Sequence, residues 1–256
     1  MTCLAPSFLK VPIAHRGLHD VAQGRAENSL SAVRAAIDAG YGIEIDIQRS
    51  NDGHAMVFHD YDLGRLTGET GSIHQRNASF LAEVTLIGSD DTIPTLAQVL
   101  TVVAGQVPVL IEIKDQDGAM GANTGPLEAA IAADLKHYAG DVAVMSFNPH
   151  AVAAMAQLLP DTPRGLVTGS FREENWGMLP SYIRDHLRAI PDFESTGSCF
   201  ISHRLDDLDR QRVVELRSNG TPVLCWTVKS HADEAVAREL ADNITFEGYL
   251  PTHQHG

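Results

Sequence analysis

Apolar residues follow two spacings that alternate along the chain. Short apolar, β-rich runs at 11–15, 42–48, 107–114, 141–147, 165–168, 199–202, 222–228 and 244–249 read as strands. Between them, the stretches 29–39, 96–104, 125–138, 149–159, 181–187, 208–218 and 231–240 carry apolar residues at helical spacing, as Ala151, Met155, Leu158 and Leu159 do. Gly40, Gly140 and Gly220 stand just past three of these helices, where a C-terminal cap takes a left-handed residue. Strands alternating with helices predict a parallel sheet. Roughly eight such units match a single closed (β/α)8 barrel of the TIM type. A doubly wound open sheet fits the same alternation, but no G-x-G-x-x-G follows the first strand. The segment 59–94, rich in Gly, Asp and Thr, is longer than an ordinary connection, so it is expected to be functional or to carry small elements of its own. The expectation is one barrel domain over 1–256 with a short insertion after the second strand, and no repeat or low-complexity tract.

Composition narrows the partners. Hydrophobic residues make up 44% of the 256 and charged residues 20%, enough for a large core. No apolar run approaches the roughly 18 residues of a membrane span. Residues 1–12 place their only Lys, Lys10, after a short apolar stretch and do not read as a signal peptide. Cys3, Cys199 and Cys225 are few, odd in number and far apart, which speaks against a disulfide framework and for a reducing, cytoplasmic setting. Cys225, inside Pro222-Val223-Leu224-Cys225-Trp226, reads as a buried inert thiol. The net charge of −14 argues against nucleic acid and against an anionic membrane surface. A small anionic substrate fits only where a cation or a few focused Arg and Lys side chains reverse the field. An assembly of identical chains is compatible with all of this.

The clearest chemical signal is Ile43-Glu44-Ile45-Asp46-Ile47. Side chains alternate along a strand, so Glu44 and Asp46 share one face and the isoleucines the other. In a barrel the isoleucines meet the helices and the carboxylates face inward, where bare charge is costly. The pattern returns at Ile111-Glu112-Ile113-Lys114. Glu44, Asp46 and Glu112 together form a hard-oxygen set suited to Mg²⁺ or Ca²⁺. The alternative is an internal salt-bridge cluster with Lys114 as counter-ion.

His15 closes Val11-Pro12-Ile13-Ala14 and is followed by Arg16 and Gly17; His59 closes Met56-Val57-Phe58 and is followed by Asp60. Imidazoles exchange protons near pH 7, Arg16 offers a planar fork for phosphate, and Gly17 permits a tight turn. His137 and His186, in helical stretches, and His253 and His255, in a polar tail, read as solvated, and His203 as structural. Trp226, ending an apolar strand, suits either core packing or a wall facing substrate.

Taken together, His15-Arg16-Gly17, Glu27-Asn28-Ser29, Glu44-Ile45-Asp46, His59-Asp60, then Leu63, Arg65 and Thr67, Ile93-Pro94-Thr95-Leu96, Glu112-Ile113-Lys114, Ser146-Phe147 and Trp226-Thr227-Val228 resemble the glycerophosphodiester phosphodiesterase family in order and spacing. The resemblance covers most of the chain. It implies a (β/α)8 barrel with its site at the C-terminal strand ends, and hydrolysis of a glycerophosphodiester to glycerol 3-phosphate and an alcohol. It implies one divalent cation (Mg²⁺ or Ca²⁺, with Mn²⁺ a further option) on Glu44, Asp46 and Glu112. His15 and His59 are then the acid–base pair, and Arg16 and Lys114 contact the phosphate. Segment 59–94 corresponds to a short version of the family's insertion. The chain departs from the family pattern at Ala26 and Ser29, where Pro and Thr are usual. It departs again at Lys229, where Asn is common, and in Phe246-Glu247-Gly248-Tyr249-Leu250-Pro251, which lacks a Thr-Asp pair before the Pro. The last two border the mouth and bear on substrate identity.

Three other readings remain. A phospholipase D-type enzyme acting on lysophospholipid or sphingomyelin would share the histidines and carboxylates, but would need an apolar rim or an export signal. A metal-dependent sugar isomerase would need more ligands at the later strand ends. A non-catalytic binding protein would not need two titrating histidines.

Overall fold

A computed structural model describes residues 3–252. Its strands are β1 (Ile13–Ala14), β2 (Gly42–Arg49), β3 (Ala55–Val57), β4 (Val109–Ile113), β5 (Val142–Ser146), β6 (Arg164–Thr168), β7 (Phe200–Arg204), β8 (Val223–Val228) and β9 (Asn243–Phe246). All but β3 run parallel, and β1 pairs with both β9 and β2, so the sheet closes into an eight-stranded (β/α)8 barrel. Each predicted strand run overlaps one barrel strand, and each predicted helix is present. Their starts obey local chemistry: Ser29 accepts from the Ala32 amide ahead of Leu30–Asp38, and Thr95 with Gln98 forms a reciprocal capping box ahead of Leu96–Val103.

The alternation seen in the sequence sorts the strand side chains into two layers. Ile43, Ile45, Ile47, Ile111 and Ile113 pack outward against helical Val33, Val99 and Ile131. Each fully buried side chain of this size contributes about 1.5–3 kcal/mol. Inside the barrel, Ile13, Leu110, Ala143, Phe200 and Leu224 form the lower plug. A short helix the sequence reading did not anticipate, Ser7–Lys10, closes that end by inserting Phe8 into the plug. Asn243 fixes it by donating to the Phe8 and Val11 carbonyls at 2.7 and 2.6 Å. The apolar floor leaves only the C-terminal strand ends open for polar chemistry.

Three readings need correction. Gly140 is not a left-handed cap: the helix Pro126–Leu135 ends earlier, and Gly140 instead abuts Gly105, whose Cα would lie 2.7 Å from an added Cβ. Trp226 lies within β8 rather than at its end. His59 does not terminate a barrel strand. It follows β3, which folds back antiparallel on β2 with Ile47 opposite Val57, so His59 enters the mouth against the barrel's chain direction. The segment beyond it is folded, with short helices Gly64–Thr67 and Ala78–Leu81. Its own apolar cluster includes Phe58, Leu63, Ile73, Leu81 and Ile93. Buried Cys225 has its thiol pushed up to about 12 by burial, as an inert thiol requires. His203 is structural, buried between Thr168 Oγ1 at 2.7 Å and the Asp207 carbonyl at 3.0 Å. His137 is exposed, and His186, on the helix Ser181–Ala189, pairs with Asp192 at 2.6 Å. His253 and His255 lie outside the described residues. No helix among the described residues is long and apolar enough to cross a membrane.

Candidate active site

Strand register brings the acidic residues together. Asp46 of β2 lies opposite Glu112 of β4, and Glu44 is one inward position below Asp46. One carboxylate oxygen from each of Glu44, Asp46 and Glu112 lies within 4.8 Å of the others, and all three residues are buried. Asn28 locks Asp46 from both sides, its amide donating to Oδ2 at 2.9 Å and its Oδ1 accepting the Asp46 N–H at 3.2 Å. Lys114 Nζ sits 2.7 Å from Asp46 Oδ1 and 2.5 Å from Glu112 Oε1, so Lys114 does serve as counter-ion.

One ammonium does not balance three carboxylates. Glu44 Oε1 is buried with no hydrogen-bond donor, while its Oε2 accepts the Arg16 N–H at 2.9 Å. Burial, then the charges of Asp46 and Glu112, raise the Glu44 pKa well above the usual carboxylate value. Burial also opposes ionisation of Asp46, but Lys114, His59 and Arg16 outweigh it and hold that carboxyl below its ordinary range. An all-oxygen set with an unsatisfied inward lone pair fits a hard divalent cation.

The turn after β1 places the cationic side of the site. Arg16 adopts φ 56° and Gly17 φ 76°, and the Gly17 N–H donates to the Glu44 carbonyl at 3.1 Å. A Cβ on Gly17 would meet Ala32 at 3.0 Å. Gly17→Ala is therefore expected to cost about 1–3 kcal/mol, from strain and crowding together. Urea denaturation measures it, and an unchanged midpoint would contradict this account. Arg16 Nη1 donates to Glu27 at 2.7 Å and its Nε lies 3.4 Å from Asp46 Oδ2. Glu27 in turn binds Arg65, which also grips Asp60.

Both histidines reach this centre. His15 Nε2 lies 3.9 Å from Glu44 Oε2, and its Nδ1 is 2.6 Å from Glu247. His59 Nδ1 is 2.6 Å from Asp60. With Nδ1 occupied on each ring, Nε2 is the nitrogen left for chemistry. Burial lowers the His15 pKa, partly offset by its bond to Glu247. Arg16, Lys114 and Trp226 line the same cavity, of about 780 Å³, in which the acidic cluster has an apolar counterpart. That counterpart is an aromatic wall in which the Phe147 ring stands 5.5 Å from Trp226 and 5.0 Å from Trp176. Trp226 thus combines the two roles open to it: its Nε1 is tied to the Ser202 carbonyl at 3.0 Å while its ring faces the cavity. Seven of the eight residues singled out from the sequence line one cavity, and the eighth, Asp46, is held beside it by Lys114 at 2.7 Å. Glu247 and Trp176 were not singled out, and neither carries a local signal: Glu247 is 232 residues from its histidine.

Comparison with known proteins gives the family and the fold independently. The model of the glycerophosphoryl diester phosphodiesterase family matches residues 15–243. A glycerophosphodiester phosphodiesterase of Caldanaerobacter subterraneus is 29% identical over 245 residues, covering 91% of each chain. Among solved structures, a phosphodiesterase from Oleispira antarctica, in complex with the product sn-glycerol-3-phosphate, superposes with a TM-score of 0.75 at 23% identity, covering 93% of each chain. A glycerophosphodiester phosphodiesterase from Thermotoga maritima does so with a TM-score of 0.69 at 24% identity, over 92% of this chain and 94% of that one. At such identities the superpositions speak for the fold. The family match speaks for more, because it covers most of the chain: this chain belongs to the glycerophosphoryl diester phosphodiesterase family and is a phosphoric diester hydrolase.

Proposed function

We propose that the enzyme hydrolyses glycerophosphodiesters to glycerol 3-phosphate and an alcohol, with Glu44, Asp46 and Glu112 holding one divalent cation and His15 and His59 as the acid–base pair. The observation that carries this reading is the buried carboxylate trio with an unsatisfied Glu44 Oε1, flanked by two imidazoles whose Nδ1 atoms are already engaged. The product named for the Oleispira antarctica neighbour supports the same product here. A cation held by Glu44, Asp46 and Glu112 would supply charge neutralisation for the phosphodiester and make a hydroxyl beside it easier to deprotonate. His15, biased toward its neutral form by burial, takes the proton of the attacking hydroxyl through Nε2. His59, more exposed at the mouth, returns a proton to the leaving alcohol. Arg16, and Lys114 once its carboxylates have another counter-ion, stabilise the phosphoryl charge against a protein of net charge −14. The whole chain acts as one barrel unit in this reading, with 59–94 delivering His59.

The decisive assay is a panel of glycerophosphodiesters offered with Mg²⁺, Mn²⁺ or Ca²⁺ after chelation, scored by release of glycerol 3-phosphate. No release from any member would end the proposal. One observation favours a lysophospholipid substrate as a second reading. Met178 and Tyr182, 96% and 69% exposed, follow the cavity-lining Trp176 in the chain, an apolar surface that the sequence had not shown. Long-chain lysophospholipids therefore belong in the panel, and faster turnover of these would favour that reading.

The attacking hydroxyl is expected to be the substrate's own, next to the ester, because intramolecular positioning can lower a barrier by about 7–11 kcal/mol. A substrate with that hydroxyl removed or methylated should bind but turn over very slowly, and a cyclic glycerophosphate should be hydrolysed competently. Equal rates on intact and deoxy substrates would establish direct attack by water.

A further inference from the structure

The two imidazoles are held in different ways. His59 is held by its sequence neighbour, whereas His15 depends on a residue from the other end of the chain, across the seam where the barrel closes. Pairing of Ala14 with Phe246 and the His15 N–H bond to the Phe246 carbonyl at 2.9 Å set Glu247 directly beside His15. The Glu247 carboxylate is divided: Oε1 takes Lys229 Nζ at 2.6 Å, and Oε2 takes His15 Nδ1 at 2.6 Å, with His19 Nε2 at 3.7 Å. Its pKa is lowered chiefly by the bond to His15, so it is ionised and acts only as an acceptor. Glu247 lies beyond the residues the family model matches. Lys229 stands where the family commonly has Asn, and Glu247 lies in the segment that lacks the Thr-Asp pair before Pro251.

We propose that Glu247 is a positioning residue for His15: it accepts a hydrogen bond from Nδ1–H, fixes the ring in that tautomer, and leaves the Nε2 lone pair directed at the reaction centre. The inference rests on the acid–base role proposed for His15. A neutral imidazole without an acceptor at Nδ1 populates both tautomers, and only one of them presents a basic Nε2. The bland alternative is that Glu247 merely fastens β9 to β1. The backbone pairing and the His15 amide already join those strands, and the carboxylate adds nothing to that ladder.

The test compares full-length wild type, Glu247→Ala and Glu247→Gln, the last keeping a carbonyl acceptor. The imidazole nitrogens are observed by ¹⁵N NMR, and steady-state kinetics are run on sn-glycero-3-phosphocholine. His15 should be a single Nδ1–H tautomer in wild type and Glu247→Gln, and a mixture in Glu247→Ala. The Ala variant should lose about 10–100-fold in kcat, the usual worth of a residue that orients another, with KM moved far less, and Gln should recover most of the loss. In a His15→Ala background, Glu247→Ala should cost nothing further. An unchanged His15 tautomer in Glu247→Ala, or an undiminished loss in the His15→Ala background, overturns the inference. Failure of wild type to turn over any glycerophosphodiester would instead strike the proposed function, and the NMR comparison would still decide the role of Glu247.

Discussion

Exhaustive chelation is expected to abolish turnover, and added Mg²⁺, Mn²⁺ or Ca²⁺ to restore it. Three carboxylates with oxygens within 4.8 Å repel one another. At an effective dielectric of about 20, each ionised pair at such a separation costs roughly 3–4 kcal/mol. Lys114 neutralises one charge and touches only Asp46 and Glu112, and Glu44 meets its share of the repulsion through a raised pKa. A divalent cation removes the conflict without protonation, so its binding should release a proton and tighten as pH rises through the Glu44 titration. Asp46→Asn should weaken cation binding, measured calorimetrically, more than it lowers Tm, because the Asn28 bonds to the Asp46 backbone and side chain remain largely available. Full activity in the chelated enzyme would sink the metal reading.

Replacing either histidine by Ala is expected to lower kcat by about 10²–10⁴, the usual worth of a positioned acid or base. The fold should persist, since both rings border the cavity rather than the apolar core, His59 with a third of its side chain exposed. The sign of the pH dependence follows from His15. A base works unprotonated, and burial lowers the His15 pKa, so the acid limb of kcat/KM should fall below the ordinary imidazole value of about 6.5. Near-normal kcat in His59→Ala would show the pairing to be wrong.

The barrel was legible because its determinants are local. Period-two isoleucine runs and helical apolar spacing each occupy a few consecutive residues, and their alternation leaves a parallel closed sheet as the economical arrangement. The inward facing of Glu44, Asp46 and Glu112 follows from the same alternation, so a charged interior could be read from Ile43 to Ile47 and from Ile111 to Lys114. Other features depend on what meets what in space. The sequence left open whether Lys114 or a cation compensates the carboxylates; only the packed site shows Lys114 bound to two of them and Glu44 Oε1 left without a partner. His59 read only as the close of a short apolar run, because three apolar residues carry no mark of direction. The hairpin of β3 on β2 decided it. Gly140 looked like a cap, since any glycine after a helix does, but contact with Gly105 set its role. The pairing of His15 with Glu247 is non-local in the same sense. Sequence by itself determined which residues face inward, because strand periodicity is a property of neighbouring residues. Which inward residues become partners was decided only when β9 closed against β1, because barrel closure joins groups that no local pattern connects.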